Sequence, residues 1–234
     1  MKPHVATVFS LALAVAAPAL AQTPAAAPAA PPPPEGPMHV VTYYDYNPAS
    51  RKEADRVLRA YRAATMKEEG ATNVSLYQET SPLARMVIDE TWRDFTAYQA
   101  HAKSSILAAA LKTGEIAPLD IRVQREWSIA AMPAAPAKAV FGFSHIDVNP
   151  PNVAGLEAAM KPYVEKSRTE KGALRFDVMQ CLLPCRNHYT LAEGWASEAD
   201  FKAHETSAQA VEFRDKIASL LGALYDHRLY KAEK

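Results

Sequence analysis

The sequence predicts an α+β protein built from two tandem β-α-β-β-α-β repeats packed face to face. Three observations carry that expectation. The chain resembles itself at an offset of about a hundred residues, a Glu-x-Trp motif followed by His occurs in both copies, and each copy passes through strand and helix patterns in the same order.

The chain opens with a segment that reads as targeting rather than fold. Residues 1–21 begin with Lys2 and His4, run through apolar Val5 to Ala17, and end on the small residues Ala19-Leu20-Ala21, the pattern of a cleaved signal peptide. That run is too short to cross a bilayer as a helix, and no later run is longer, so no membrane span is expected. Residues 22–37 are rich in Pro and Ala and read as a disordered tether. Export would place the protein in the periplasm or outside the cell, where thiols are oxidised. Cys181 and Cys185, in CLLPC, are therefore disulfide candidates, ahead of a soft-metal site or two free thiols. The chain carries 26 basic and 26 acidic side chains, and loss of Lys2 with the signal leaves a formal charge of −1. Nothing there suits a nucleic-acid partner, whose phosphates call for a basic excess.

The repeats are expected at 38–129 and 139–234, joined by the linker AAMPAAPAK at 130–138. Asp45-Tyr46-Asn47-Pro48 aligns with Asp147-Val148-Asn149-Pro150, and Gln78 with Gln180, at an offset of 102; after one inserted residue near Cys181 to Cys185, Glu90, Trp92 and His101 align with Glu193, Trp195 and His204 at 103. Residues 39–46 and 139–148 are β-branched and aromatic runs ending in Asn-Pro, the mark of a strand stopping at a turn. Val57, Leu58, Tyr61 and Thr65, and likewise Val153, Leu156, Met160 and Tyr163, recur at helical spacing, with Gly70 and Gly172 as candidate C′ glycines and Pro162 as a candidate kink. Strands follow at about 72–79, 85–92, 173–180 and 187–195; one helix per copy starts near Asp94 or Ser197, and last strands lie near 120–127 and 225–230. This order is the ferredoxin-like arrangement, which leaves one sheet face bare. Pairing the two bare faces buries both, so the duplication is a dimer fused into one chain.

A strand ending in Glu-x-Trp, a capped helix, and His nine residues after the Trp resemble the antibiotic biosynthesis monooxygenase (ABM) domain of the dimeric α/β barrel superfamily. The second copy, through HIDVNPPNV, GALRFDVMQ, RNHYTLAEGWASEADFKAH and LYDHRLY, is similar to the quinol monooxygenase members. The resemblance implies an intramolecular dimeric α/β barrel and an oxidoreductase using O2 on a quinol, polyphenol or similar electron-rich aromatic. It implies no metal, flavin or haem cofactor: the substrate supplies the electrons, and the protein supplies a base, stabilises the anion and excludes water. Partners are then a small aromatic substrate and O2, with homo-oligomerisation left open.

Period-two alternation puts Phe143 and His145 on one face of their strand, and Asn187, Tyr189, Glu193 and Trp195 on one face of theirs, with His188 opposite. If both odd-numbered faces look into one cavity, His145 or His204 is the base, Asn187 and Tyr189 bind the substrate oxygen, and Phe143, Glu193, His188 and Trp195 complete the wall. The first copy has Tyr43 for His145, Ala84 for Asn187 and Met86 for Tyr189, so Tyr43, Trp92 and His101 are a thinner set and the chemistry is expected mainly in the second copy. Structural roles compete: Glu90 and Glu193 paired with Arg122 or Arg228, Trp92 and Trp195 as core, His101 and His204 as packing groups. Two other functions compete as well. A non-catalytic barrel could bind a small molecule through the same groups. A haem-degrading relative would need an iron ligand where this chain has Leu111 or Arg214, and neither is an axial donor.

Overall fold

The computed structural model describes residues 34–81, 85–182 and 184–233; the expected signal, most of the tether and Ala84 lie outside them. The first repeat contains β1 (Met38–Asp45), α1 (Arg51–Thr65), β2 (Ala71–Glu79), β3 (Arg85–Trp92), α2 (Phe95–Ala102), α3 (Ser105–Lys112) and β4 (Ala117–Ser128). The second contains β5 (Val140–Asp147), α4 (Val153–Ser167), β6 (Ala173–Cys181), β7 (His188–Trp195), α5 (Glu198–Glu205), α6 (Ala208–Ala218) and β8 (Asp226–Glu233). Residues 129–139 between them form neither helix nor strand. No helix among the described residues is long and apolar enough to cross a membrane.

Each helix follows from its sequence. In α1 the buried residues Ala54, Val57, Leu58, Tyr61 and Thr65 form one stripe. Asp94 and Ser197 act as N-caps, accepting the backbone N–H of Ala97 and Asp200. The single helix expected after each cap is two helices, because Ser104 and Ser207 start a second one by capping Ile106 and Ala210. Pro162 lies inside α4, which runs on to Ser167. Gly70 and Gly172 are not C′ residues, since α1 and α4 end at Thr65 and Ser167. They sit in the following turn with φ of +87° and +81°, and a Cβ on Gly70 would lie 2.5 Å from the Ala97 Cβ.

The eight strands close into one antiparallel barrel in the order β1-β3-β2-β8-β5-β7-β6-β4. Each repeat supplies four consecutive strands, and β2–β8 and β4–β6 stitch the repeats together. The helices cover the outside. Tyr43, Tyr77, Phe141, Phe143, Met179 and Tyr230 fill the lumen. Across it, the Arg175 guanidinium on β6 meets Asp89 on β3 at 2.5 Å while also holding Asp177 at 2.8 Å, and Arg122 on β4 makes a bidentate bond to Asp147 on β5 at 2.9 and 3.1 Å. Neither pair joins neighbouring strands, so both tie one repeat to the other through the barrel.

A buried pair resists losing one partner more than losing both. Asp89→Asn is expected to destabilise the protein by about 3 kcal/mol, and the Asp89→Leu/Arg175→Met/Asp177→Asn triple variant, which leaves no carboxylate of the cluster stranded, by less, both measured by urea denaturation. A triple variant at least as unstable as the single one would show that these side chains are not coupled.

Candidate functional site

Residues two apart on a strand share a face, so Glu90 and Trp92 both point from β3 toward the helices. The Trp92 indole N–H donates to Glu90 Oε2 at 2.9 Å, and the Tyr61 hydroxyl of α1 donates to Glu90 Oε1 at 2.6 Å. The same hydroxyl lies 2.9 Å from His101 Nε2 on α2, and His101 Nδ1 lies 2.5 Å from Glu68 Oε2 beyond the end of α1. His101 stacks on Trp92 with ring centroids 4.6 Å apart. The second repeat builds the same frame. The Trp195 N–H donates to Glu193 Oε2 at 2.7 Å, Tyr163 contacts His204 Nε2 at 3.0 Å, His204 Nδ1 lies 2.8 Å from Glu170, and His204 stacks on Trp195 at 4.5 Å. Tyr61 and Tyr163, and Glu68 and Glu170, stand at the repeat offset of 102; sequence reasoning missed both pairs although their spacing was visible.

The frames differ in the tyrosine, which bonds the glutamate in the first repeat alone, and in one added group. In the second repeat His227 enters from β8, with Nε2 at 3.2 Å from Glu193 Oε1 and Nδ1 at 3.6 Å from Glu205. Gly142 makes room, because a Cβ there would lie 2.7 Å from Glu193 Cγ and 2.8 Å from His227 Nε2. The first repeat has Val40 and Ile121 at these positions. Burial therefore pushes the Glu90 carboxyl above its ordinary range, against the bonds from Tyr61 and Trp92 and the attraction of His101. For Glu193 burial acts the same way, but His227, with His204 and the Trp195 N–H, outweighs it and holds the carboxyl below the ordinary range. Burial alone would lower the His227 pKa, yet Glu193 and Glu205 raise it from 6.5 to about 10. Two copies of one frame thus shift their carboxyls in opposite directions.

The helices above the frames differ too. In the first repeat a cleft of about 340 Å³ opens between α1 and α3, with Tyr61 in its lining beside Ala60, Ala64, Ile106, Ala109 and Ala110. The cleft between α4 and α6 encloses about 80 Å³, and each residue lining it is the repeat mate of one lining the first. Phe213 stands there in place of Ala110, its ring stacked on Tyr163 at 4.0 Å and 8°.

The expected second-copy pocket does not assemble. β5 pairs with β7 as Val140↔Trp195 through Asp147↔His188, so odd residues of one strand face even residues of the other. Phe143 and His145 point into the lumen, where His145 meets Tyr43 edge-on at 4.8 Å and Asp120 at 3.8 Å. Tyr189, Glu193 and Trp195 lie on the helix side with His204. The Tyr189 hydroxyl donates to Glu157 at 2.7 Å. Asn187 sits in the turn before β7 and donates to the Val148 carbonyl, and His188 opens β7 opposite Asp147. Neither glutamate pairs with the expected arginines: Arg122 bonds Asp147 and Asp120, and Arg228 meets Glu79. Trp92 and Trp195 are core residues and ligands of the frame at once. Cys181 and Cys185 form a disulfide.

Fold and frame together define a two-repeat α/β barrel with a helix-covered polar core in each half. The chain belongs to the antibiotic biosynthesis monooxygenase family, which matches residues 37–113 and 144–216. A protein of Fusobacterium nucleatum subsp. nucleatum proposed to be a monooxygenase superposes with TM-score 0.72 at 15% identity, over 85% of this chain and 93% of its own. An anthrone oxidase-like protein gives 0.69 at 13%, over 86% and 92%. A major regulator of staphylococcal pathogenesis gives 0.55 at 10%, over 84% and 99%. At these identities the likeness is one of fold, and the fold hosts proteins of different kinds. No curated protein matches the chain.

A raised histidine pKa stabilises the fold fully below the unfolded value and loses that stabilisation as pH rises through the folded one. Stability is therefore expected to fall between about pH 6.5 and 10, by roughly 3–5 kcal/mol from His227. His227→Gln should flatten that slope in urea denaturation curves at the two pH values; an unchanged slope would contradict the pairing with Glu193.

Proposed function

We propose that the protein is an exported monooxygenase that oxidises a quinol, polyphenol or similar electron-rich aromatic with O2, and that the reaction takes place in the α1–α3 cleft of the first repeat. One observation carries the reading: there an open apolar cleft meets Tyr61, whose hydroxyl is bonded to a carboxyl held above its ordinary range. Burial and the charge of Glu90 keep the Tyr61 hydroxyl protonated well past its usual range, so it acts as a conduit. A substrate hydroxyl reaching Tyr61 passes its proton to the tyrosine oxygen as Tyr61 passes its own to Glu90, and His101 with the part-exposed Glu68 offers a path to solvent. The electron-rich anion then reduces O2. For a quinol, one oxygen atom enters the ring and the other leaves as water with the remaining hydrogens, giving a hydroxyquinone; the substrate furnishes all the electrons.

This reading places the chemistry in the first repeat, where sequence reasoning had favoured the second. There the cleft is narrow, and the carboxylate is neutralised by His227. A second reading, binding without turnover, is supported by the persistence of the Glu-Trp-His frame in that filled repeat, where it would serve the architecture alone.

Oxygen consumption by the mature protein against a panel of hydroquinones and polyphenols separates the two. Tyr61→Phe and Glu90→Gln are expected to lower the rate by about 10²-fold or more, while the mate Tyr163→Phe stays near the parent rate. No uptake across the panel, with quinol still bound, would establish the binding reading.

A further inference from the structure

The repeat symmetry allows one half of the molecule to report what the other half accommodates. The clefts are mates position by position: Ala60 with Pro162, Tyr61 with Tyr163, Ala64 with Lys166, Ala110 with Phe213. In the second repeat the phenyl ring of Phe213 lies flat on Tyr163, 4.0 Å between centroids and 8° from parallel, and is buried. In the first repeat the position is Ala110, and the space over Tyr61 is part of the cleft of about 340 Å³. Tyr61 and Tyr163 each set the hydroxyl on the histidine of their own frame, at 2.9 and 3.0 Å, and Tyr61 bonds Glu90 as well.

We infer that Phe213 is a built-in occupant of the ligand slot of the second repeat, and that the slot in the first repeat takes a planar aromatic ring lying parallel on Tyr61 in the place Phe213 holds over Tyr163. The inference rests on reading the first-repeat cleft as the binding site and names its ligand class: a flat ring, bound by its face. Off-centre parallel stacking is a preferred arrangement of aromatic pairs, and it brings a hydroxyl on the bound ring beside the Tyr61 hydroxyl. Walls of alanine suit a flat guest, because they add little bulk above or beside it. The second repeat is then a closed copy of the same site, and residue 110 or 213 decides which copy is open.

The test is anaerobic calorimetric titration of the mature protein with 2-naphthol, where no turnover can occur. The parent protein is expected to bind one equivalent, Ala110→Phe none, and Phe213→Ala two, with the added site lost again in Phe213→Ala/Tyr163→Ala. Ala110→Phe that still binds one equivalent, or a folded Phe213→Ala that gains no site, would overturn the inference. If Phe213→Ala does not fold, the structure of Ala110→Phe decides: its new ring must stack on Tyr61 as Phe213 does on Tyr163, and a ring turned elsewhere refutes the equivalence. Binding with this pattern but without oxygen uptake under air would leave the inference standing and remove the oxygenase reading; uptake unaffected by Ala110→Phe would do the reverse.

Discussion

A carboxylate buried under a sheet-covering helix must be satisfied locally, and here the satisfying group is the indole two residues further along the same strand. That Glu-to-Trp bond fixes both side chains on the helix side of the sheet. The histidine of the next helix then stacks on the indole, and the tyrosine of the first helix bonds the histidine. Strand, both helices and the turn carrying Glu68 or Glu170 are joined through a handful of polar atoms. Charge-assisted hydrogen bonds of this kind contribute on the order of 1.5–3 kcal/mol each and are costly to break singly. The network recurs in both repeats, and Ala110 or Phe213 on the neighbouring helix distinguishes the cleft above Tyr61 from the filled one above Tyr163.

Duplication lets the two copies diverge without losing that network. Val40 to Gly142 and Ile121 to His227 are linked exchanges: the histidine needs the space a side chain on residue 142 would fill. Together they turn a buried carboxyl shifted above the ordinary range into one shifted below it. Ala110 to Phe213 changes volume in the same repeat and fills the cleft. All three changes fill or neutralise the second-repeat frame, while the cross-lumen pairs Arg175–Asp89 and Arg122–Asp147 bind it to the first.

Much of the fold was legible because it is written twice. The offset between copies located every strand, the Asn-Pro and capping signals located the breaks, and the unmet sheet face required a barrel. The break between α2 and α3 was missed although Ser104 and Ser207 are good caps, since neither interrupts the apolar pattern strongly. The site was legible only in part. The Glu-x-Trp and His positions were visible, but strand faces were assigned by odd numbering in both strands of the second repeat. The residue inserted before β7 changes the offset from 102 to 103 and so reverses which parity faces the helices. Tracking that insertion would have separated His145 from Tyr189 at once. His227 and Phe213 were overlooked because their meaning lies in what the mate position lacks, a neighbour's volume or charge, which no local pattern displays.

The account depends on the two buried glutamates being shifted in opposite directions, Glu90 above the ordinary carboxylate range and Glu193 below it. Infrared difference spectroscopy, titrated upward from the ordinary carboxylate range, reads this directly through the carbonyl band of a protonated carboxylic acid. The account predicts such a band above that range, absent from Glu90→Gln, retained in Glu193→Gln, and shifted when a quinol is added anaerobically. A band that survives Glu90→Gln and disappears in Glu193→Gln would assign the proton to the wrong repeat and contradict the account.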